Sequence, residues 1–304
     1  MRNQRVLVTG GAGFIGSNLA NRLISENDVL VVDDCSLGTP KHLDSAVEFY
    51  DRSVLAADLP TDVDVIVHLA ALSSYALCEV DPMQGARVNT EGFVNVVEQA
   101  RQDGCSTVVY ASTSSLYGTR VEPTSESTRI TTKTGYEASI RARERYAEYF
   151  STHYDMSMAG LRFFSVYQGY GGAEGHKGEY ANVIAQFADD IARGASPKLY
   201  GDGTQTRDFT HVFDVVRAIE RVADAELDGI YNVGTGTRHS FNRIVDLLSD
   251  ELGTNIAPEY VENPVPEPVY IHDTCADCSK LREATGWEPT IDIARGIERV
   301  CSSY

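Results

Sequence analysis

The stretch TGGAGFIG, residues 9–16, decides the fold. It follows a short apolar run at residues 5–9 and opens an amphipathic segment at about 14–25. A second apolar run, at 29–32, completes a strand–helix–strand unit. Glycines at such a junction permit a tight turn and let the backbone approach a pyrophosphate, which the amide groups of the helix N-terminus can bind. The sequence therefore predicts a dinucleotide site at the start of the chain.

An acidic residue at the end of the second strand supports this interpretation. Asp33 stands where a carboxylate would bind a ribose 2′-hydroxyl. Asp34 follows it and no Arg stands close behind, so a 2′-phosphate would be repelled. NAD is therefore predicted rather than NADP. The predicted cofactor contacts in this region are Gly10, Gly13, Phe14, Ile15, Asp33 and Asp34.

The same alternation of apolar strands and long helices continues through the first half of the chain. Strands are predicted at 63–67, 107–110 and 158–162, and helices at 83–101 and 135–153. Strands that are apolar throughout and separated by helices indicate a parallel sheet covered on both faces. The predicted fold class is α/β, a Rossmann doubly wound parallel sheet.

Beyond about Ser165 the alternation stops. A glycine-rich loop at 169–175 and a proline-rich stretch at 258–268 flank helices predicted at 181–193, 214–223 and 240–251. We expect a NAD-binding domain over residues 1–165, to which a segment at about 209–237 returns. Residues 166–208 and 238–304 are expected to form a smaller C-terminal α/β substrate lobe.

The charge of the chain restricts its partners. Its 304 residues carry 26 Lys+Arg against 44 Asp+Glu, a formal net charge of -18. Such a surface repels nucleic acid and anionic lipid, and no apolar run approaches the roughly 20 residues needed to cross a bilayer. Lys is rare beside Arg, which suits a protein kept soluble in concentrated salt. We therefore expect a halophilic protein, and stability unchanged between molar and low salt would refute this.

The cysteines predict an intracellular chain rather than a metal site. Six cysteines in a chain of this size are typical of reduced thiols, and the N-terminus carries no secretory pattern, so a cytoplasmic location is expected. Cys275 and Cys278 have CxxC spacing, but no second pair or His cluster completes a zinc site. No metal is predicted.

Several ordered motifs carry a family resemblance. The glycines are spaced GxxGxxG, and His68-Leu69-Ala70-Ala71, Val88-Asn89, Tyr117-Gly118 and Tyr136-Glu137-Ala138-Ser139 follow in order. The sequence resembles the extended short-chain dehydrogenase/reductase family, nearest to the NAD-dependent nucleotide-sugar 4-epimerases of the UDP-glucose (galactose) type. The match runs over essentially the whole length and ends in residues 276–280 and 286–289.

The resemblance implies further site residues, a substrate and an assembly. Besides the glycine loop, it implies cofactor contacts from Asp58, Leu59, Leu69, Ala70, Ala71, Asn89, Tyr136 and Phe163. It implies substrate contacts from Thr113, Ser165, Asn182, Arg207 and His272, with a nucleoside-diphosphate sugar as substrate. It also implies a homodimer through the helices at 83–101 and 135–153. From the residues alone, Asp58 could equally be a turn residue and Asn89 a helix cap.

In this family a tyrosine removes a proton from a sugar hydroxyl while NAD+ takes hydride from the same carbon. The ketone then turns over, and hydride returns to its other face. The resemblance assigns the proton transfer to Tyr136 and the hydrogen bond to the reacting oxygen to Thr113. Taken alone, Tyr136 could be a helix residue that only packs its ring.

The sequence departs from the family at a lysine. The family motif is YxxxK, but residue 140 is Ile, which supplies neither charge nor donor. A free phenol has a pKa of about 10, so roughly one in a thousand would be ionised near pH 7. Arg141 and Arg143 come next, and we expect them on other faces of the helix. Reduced turnover with partly retained cofactor binding is the expectation.

Three explanations of Ile140 remain open. It could be an engineered or accidental loss in an otherwise active enzyme. It could be natural, with another cation such as Lys133 or Lys177 folding in. The chain could also be a non-catalytic relative that senses NAD and a sugar nucleotide.

The residues after Thr113 bear on the reaction type. Related 4,6-dehydratases carry an acidic pair there, whereas this chain has Ser114 and Ser115. Serine hydroxyl groups cannot act as general acid or base near neutral pH, so epimerisation is favoured over dehydration.

The substrate residues depart from the family as well. Arg207 has the guanidinium geometry that grips a diphosphate, although an exposed salt bridge to Asp208 or a neighbour is the alternative. Ser165 replaces the usual Asn, and His272 replaces a second phosphate-binding Arg, so the sugar or phosphate contacts are expected to be altered.

Overall fold

The structure, a computed structural model, describes residues 1–304. The strands are β1 (Arg5–Thr9), β2 (Asp28–Asp33), β3 (Glu48–Asp51), β4 (Val65–His68), β5 (Thr107–Thr113), β6 (Ser157–Phe163), β7 (Val166–Tyr167), β8 (Lys198–Tyr200), β9 (Thr206–Asp208), β10 (Thr210–His211), β11 (Gly229–Val233), β12 (Arg238–Ser240) and β13 (Glu259–Val261). The helices are α1 (Phe14–Leu23), α2 (Tyr75–Val80), α3 (Pro82–Ala86), α4 (Gly92–Asp103), α5 (Gly135–Tyr154), α6 (Val183–Ala192), α7 (Val212–Asp224), α8 (Phe241–Glu251), α9 (Ser279–Thr285) and α10 (Ile293–Cys301).

Seven parallel strands form the main sheet in the order β11-β6-β5-β4-β1-β2-β3. The order reverses direction at β1, which pairs with β2 on one side and β4 on the other. In such a sheet a ligand binds in the crevice at the carboxyl ends of the strands where the order reverses. The predicted Rossmann α/β fold is confirmed, and the glycine loop lies at this reversal.

The two faces of the sheet bury separate apolar layers. Val6 and Val8 of β1 belong to a core of 31 buried residues that includes α1 and α7. Leu7, between them in sequence, belongs to a core of 18 buried residues on the opposite face, which includes α4. Alternating residues of a strand point to opposite faces, so an apolar strand must be covered on both. The predicted coverage on both faces is therefore observed.

The helix predicted at 83–101 is interrupted. α3 and α4 are separated by a turn of π-helix at Arg87–Glu91, where each hydrogen bond spans five residues rather than four. Asn89, at the centre of this turn, is fully buried. Apolar periodicity cannot detect such an insertion, because the apolar residues on either side still recur at helical spacing.

The second half of the chain adds one strand to the main sheet and a further core. β11 pairs with β6, and it comes from residues inside the segment predicted to return at about 209–237. A third core of 14 residues packs α6, α8 and α10 together. The proline-rich stretch also contains a short strand, β13, which pairs with β8. We retain the division into two lobes as a proposal.

None of the helices combines the length and the apolar character that crossing a membrane requires.

Candidate active site

The glycine loop packs too closely for side chains. Gly10 has a φ of 70°, and a Cβ on it would lie 2.6 Å from the backbone nitrogen of Ala70. A Cβ on Gly16 would lie 2.3 Å from the carbonyl oxygen of Gly10. The loop therefore rests directly on the end of β4, and α1 rests directly on the loop. Because no side chain caps α1 at Gly13, its N-terminal amide groups remain available to an anion.

Asp33 closes β2 beside this loop. One of its carboxylate oxygens accepts a hydrogen bond from the Ala12 amide at 3.0 Å, and the other accepts from the Cys35 amide at 2.8 Å. Burial raises the pKa of Asp33, and these two amides oppose the effect. The carboxylate is thus fixed at the mouth of the crevice, while Asp34 next to it binds the amide of Ser36.

Four of the remaining predicted cofactor residues lie at the same edge of the sheet. Leu69, Ala70 and Ala71 directly follow β4, and the Leu69 amide donates to the Thr9 carbonyl at the end of β1. Phe163 ends β6. Leu59 is buried, whereas the exposed carboxylate of Asp58 pairs with Arg52.

The side-chain amide of Asn89 makes its hydrogen bonds within the protein. Its side-chain amide donates to the Leu72 carbonyl at 3.2 Å and to the Ser139 hydroxyl at 3.0 Å, and its oxygen accepts from the Leu72 amide at 2.8 Å. Neither donor is left for a cofactor. This side chain therefore ties the loop after β4 to α5, and the predicted contact to the cofactor finds no support in its hydrogen bonds.

The two predicted catalytic residues meet in one cleft. Thr113 ends β5, Tyr136 lies in the first turn of α5, and the Thr113 hydroxyl is close enough to the phenol to lower its pKa. Both line a cavity of about 200 Å³ together with Ser73, Ser74, Tyr75, Ser115, Thr134, Glu137, Val269 and Ile271. The lining is mostly hydroxyl groups with two aliphatic side chains, which suits a sugar.

The protein environment opposes ionisation of the phenol. Burial raises the pKa of Tyr136 above its usual value, while the nearby Thr113 hydroxyl and the charge of Arg143 lower it. Cys78 and Glu137 add smaller contributions that raise it. Because desolvation opposes the phenolate, a nearby cation would favour it, so the position of Arg143 matters.

The expectation that Arg143 faces away from Tyr136 is wrong. Seven residues are two turns of an α-helix, so the two side chains share a face. Arg143 is completely buried, and its guanidinium donates to the carbonyls of Asn89 at 3.1 Å, Ala111 at 3.0 Å and Ala70 at 3.0 Å. Ile140, between them, is buried and apolar. The spacing from Tyr136 was the signal in the sequence that would have identified Arg143.

The two lysines considered as replacement cations lie elsewhere. The ammonium group of Lys177 lies 5.7 Å from the ring centroid of Phe14, at the start of α1. Lys133 is exposed, and its charge lowers the pKa of Glu137. Lys177 thus stands beside the predicted pyrophosphate loop.

Glu137 has a structural role that the sequence did not reveal. Thr134 caps α5 by accepting from the Glu137 amide at 3.1 Å, and the Glu137 carboxylate reaches back to the Lys133 amide at 2.6 Å. This is a variant of the capping box, T-x-x-E, in which the carboxylate binds the amide just before the N-cap, and its spacing could have been identified from the sequence. It fixes the first turn of α5, and hence Tyr136.

A buried ionic network stabilises the floor of the site. Glu144 of α5 accepts from both Nε and Nη2 of Arg162 at 2.8 Å and from the Ser112 hydroxyl at 2.7 Å, and it also pairs with Arg141. Arg162 donates in addition to the Tyr117 hydroxyl at 2.8 Å. These groups connect β5, β6 and α5. No motif in the sequence alone paired Glu144 with Arg162, because 18 residues separate them.

Two predicted substrate residues, Arg207 and His272, are neighbours. The Arg207 guanidinium donates to the carbonyls of His272 at 3.0 Å and Ile271 at 2.5 Å, and it stacks on Phe241. The predicted alternative, an ion pair with Asp208, is not formed. Asp208 instead accepts hydrogen bonds from Thr235, Gly236 and Ala276. Arg207 therefore holds the segment that carries Ile271 against the cleft.

The other two predicted substrate residues have clear backbone roles. Asn182 caps α6, where its oxygen accepts from the Ile184 amide at 3.1 Å. Ser165 has a φ of 32°, in the left-handed region that Asn tolerates better than Ser. A Ser in this conformation places backbone strain next to β6.

The CxxC cysteines lie apart from the cleft. Cys275 and Cys278 are buried, and their thiols point to the carbonyls of Gly236 and Gly234. Burial raises the pKa of both thiols, so they remain protonated near neutral pH.

Comparisons with known proteins agree with this geometry. The Epimerase family model, described as the NAD dependent epimerase/dehydratase family, matches residues 6–234. UDP-glucose 4-epimerase of Mycolicibacterium smegmatis is 35% identical over 314 residues, which cover 99% of this chain and 98% of that protein.

Two solved structures have the same fold over their full length. UDP-N-acetylglucosamine 4-epimerase from Methanobrevibacter ruminantium, in complex with UDP-N-acetylmuramic acid, has a TM-score of 0.92 and 27% identity, and the match covers 100% of this chain and 98% of that one. UDP-glucose 4-epimerase of Thermus thermophilus, in complex with NAD, has a TM-score of 0.87 and 30% identity, with 98% of each chain covered. The predicted resemblance and the predicted NAD dependence are both confirmed by these matches. The chain belongs to the NAD dependent epimerase/dehydratase family.

Proposed function

We propose that this chain catalyses the 4-epimerisation of a nucleoside-diphosphate hexose through a keto intermediate. The observation that carries the proposal is the meeting of Tyr136 and Thr113 in a hydroxyl-lined cleft at the carboxyl edge of the sheet. The similar 4-epimerases from three organisms support a UDP-sugar as the substrate.

The residues around the glycine loop fit NAD. The bare N-terminus of α1 suits a pyrophosphate, and the Cβ positions at Gly10 and Gly16 would collide with backbone, so only glycine allows this close packing. Asp33 would bind the ribose hydroxyls. NAD held there supplies the hydride acceptor and donor for the sugar carbon.

Tyr136 performs the proton transfer in this proposal. Its ionised oxygen accepts the proton of the sugar hydroxyl as hydride leaves the same carbon, and it returns that proton when hydride comes back to the other face. Thr113 donates a hydrogen bond to the reacting oxygen and holds it beside Tyr136. The keto sugar must turn over between the two steps.

Dehydration is the less favoured chemistry because the cleft offers no free acid. Ser114 and Ser115 carry hydroxyl groups at the places where an acidic pair would be needed. Glu137 lines the cleft, but its carboxylate is committed to the Lys133 amide in the capping box. We therefore propose epimerisation, with turnover lowered by Ile140.

The proposal is tested by incubating the purified chain and NAD with UDP-glucose, UDP-galactose and their N-acetyl counterparts, followed by chromatography of the products. We expect interconversion of at least one pair of C4 epimers. A matching sample without added NAD controls for cofactor that copurifies. If no epimer forms from any of these and bound NAD is never reduced, the chain is a sensor that binds NAD and a sugar nucleotide without turnover.

We also propose a homodimer through α5 and its neighbours. Tyr146, Tyr149 and Tyr154 of α5 are each about two-fifths exposed, and Met83 on the adjacent α3 is 73% exposed. An aromatic face of this kind is typical of an interface between copies. We expect sedimentation equilibrium to give a dimer at micromolar concentration and Tyr149→Glu to give a monomer. A monomeric wild-type chain contradicts the proposal.

A further inference from the structure

Arg143 carries a positive charge that no carboxylate neutralises. All three of its hydrogen bonds go to backbone carbonyls, those of Ala70, Asn89 and Ala111. We propose that Arg143 is a positioning residue that holds a cation behind Tyr136 and favours the ionised phenol, which Ile140 cannot do. This inference rests on the proposed function, since it assigns a role in the same proton transfer.

The helix geometry brings the charge toward the phenol. Tyr136 and Arg143 are about 10 Å apart along the axis of α5, since each residue rises about 1.5 Å. Side chains of a helix lean toward its N-terminus, so the long Arg143 side chain extends back under Tyr136. Two of the carbonyls that receive it, those of Ala70 after β4 and Ala111 in β5, lie at the same edge of the sheet as Thr113.

The neighbouring acid is already occupied. Glu144, the next residue, is bound by Arg162, Ser112 and Arg141. Burial lowers the pKa of Arg143 to about 10, so the guanidinium remains charged near neutral pH. An unneutralised charge in a desolvated site acts over a longer range than a solvated one.

The other titratable groups around the pair do not replace it. Burial, and then the charge of Arg143, keep the pKa of His68 well below its usual value, so this ring is neutral. Tyr110 faces Arg143, and burial raises its pKa far above the usual range. Cys78 of α2 and Glu137 of α5 face Tyr136, and both disfavour the phenolate. Arg143 is thus the cation among these groups.

The proposal also separates two roles. Three of the five guanidinium N–H groups are bonded to these carbonyls, which anchor Arg143 in the protein, and we propose that it acts through its charge rather than as a donor to a cofactor ribose. A lysine at position 140 would be expected to supply both. We therefore expect Ile140→Lys to tighten NAD binding, whereas Arg143 variants should change the phenol with little effect on NAD affinity.

The test is an ultraviolet difference titration of the phenol, in which each protein is compared with the same protein carrying Tyr136→Phe. It is run without substrate, with and without NAD. Arg143→Met removes the charge, and Arg143→Gln removes it while keeping amide donors for the carbonyls. We expect either variant to raise the titration midpoint by about one pH unit or more. The acid limb of the kcat/KM profile should move by the same amount.

Variants that restore a positive charge distinguish the loss of charge from structural damage. Arg143→Lys should stay near the wild-type midpoint, and adding Ile140→Lys to Arg143→Gln should bring it back. The matched control is Arg145→Met, on the same helix, where the Arg pairs with Glu148 in solvent; no shift is expected there.

Two results would overturn the inference: a midpoint unchanged in folded Arg143→Gln, or a raised midpoint that Ile140→Lys does not restore. Because the titration needs no turnover, it is independent of the proposed function. That function fails instead if Tyr136→Phe keeps full epimerase activity or if no sugar nucleotide is epimerised.

Discussion

Tyr136→Phe is expected to lower kcat by about 10²- to 10⁴-fold, the usual contribution of a positioned general acid or base. The phenyl ring keeps the packing of α5 but cannot exchange a proton with the sugar. Thr113, which ends β5 and lines the same cleft, would remain in place. The measurement is the initial rate of epimer formation at saturating NAD and sugar nucleotide. Tyr149→Phe, on the exposed side of the same helix, is the control and should retain the wild-type rate.

The pH profile gives this prediction a second test. Since the base must be ionised and burial raises the pKa of Tyr136, the wild-type rate should increase as pH rises above neutrality. This acid limb should disappear in the residual activity of Tyr136→Phe. A variant that retains the rate and the limb would show that another group takes the proton.

Glu144→Gln is expected to reduce the free energy of unfolding by about 3–5 kcal/mol, the usual cost of removing one partner from a buried ion pair. The replacement leaves the charge of Arg162 buried among Ser112 and Tyr117 without a counter-ion. Urea denaturation followed by circular dichroism measures the change. Glu148→Gln is the matched control, because its partner Arg145 is exposed, and we expect a change below about 1 kcal/mol.

Lowering the pH should reduce the free energy of unfolding of the wild type more than that of Glu144→Gln. Burial raises the pKa of Glu144, but the hydrogen bonds and charge of Arg162, with Ser112 and Arg141, outweigh it, so the pKa lies below the ordinary value. A depressed pKa stabilises the folded state above the unfolded pKa of about 4, and that stability is lost as pH falls through the folded value. If the two proteins lose stability equally between about pH 5 and pH 2, Glu144 does not carry this effect.

The sheet could be predicted from the sequence because its signals are local. An apolar run such as 29–32 indicates a strand, and the glycines of the loop indicate a tight turn, each within a few residues of sequence. Two of the seven strands are not predicted as strands. β3 has no buried residue and therefore no apolar run. β11 is predicted only as part of a returning segment, since its pairing with β6 depends on a contact across about 70 residues of sequence.

The site could be predicted only in part. Tyr136 and Thr113 were identified from motifs, and the structure brings them together. The side chains of Asn89 and Asn182, by contrast, bind the loop after β4 and cap α6, because an amide can serve a backbone as readily as a ligand. Arg143 was expected on a different face of α5 from Tyr136, but the spacing of seven residues puts both side chains on the same face. The pairing of Glu144 with Arg162 requires the three-dimensional structure.

The π-helical turn at Arg87–Glu91 makes this part of the site more sensitive to the deletion of a residue than to the substitution of one. Such a turn is an α-helix that has received one extra residue, and the excess is what carries Asn89 inward to Leu72 and Ser139. Losing a single codon there would restore an ordinary helix and rotate everything on one side of it by about 100° relative to the other. A point substitution does not change the relative rotation of the two sides, so we expect single-residue deletions here to disrupt the site where alanine substitutions do not.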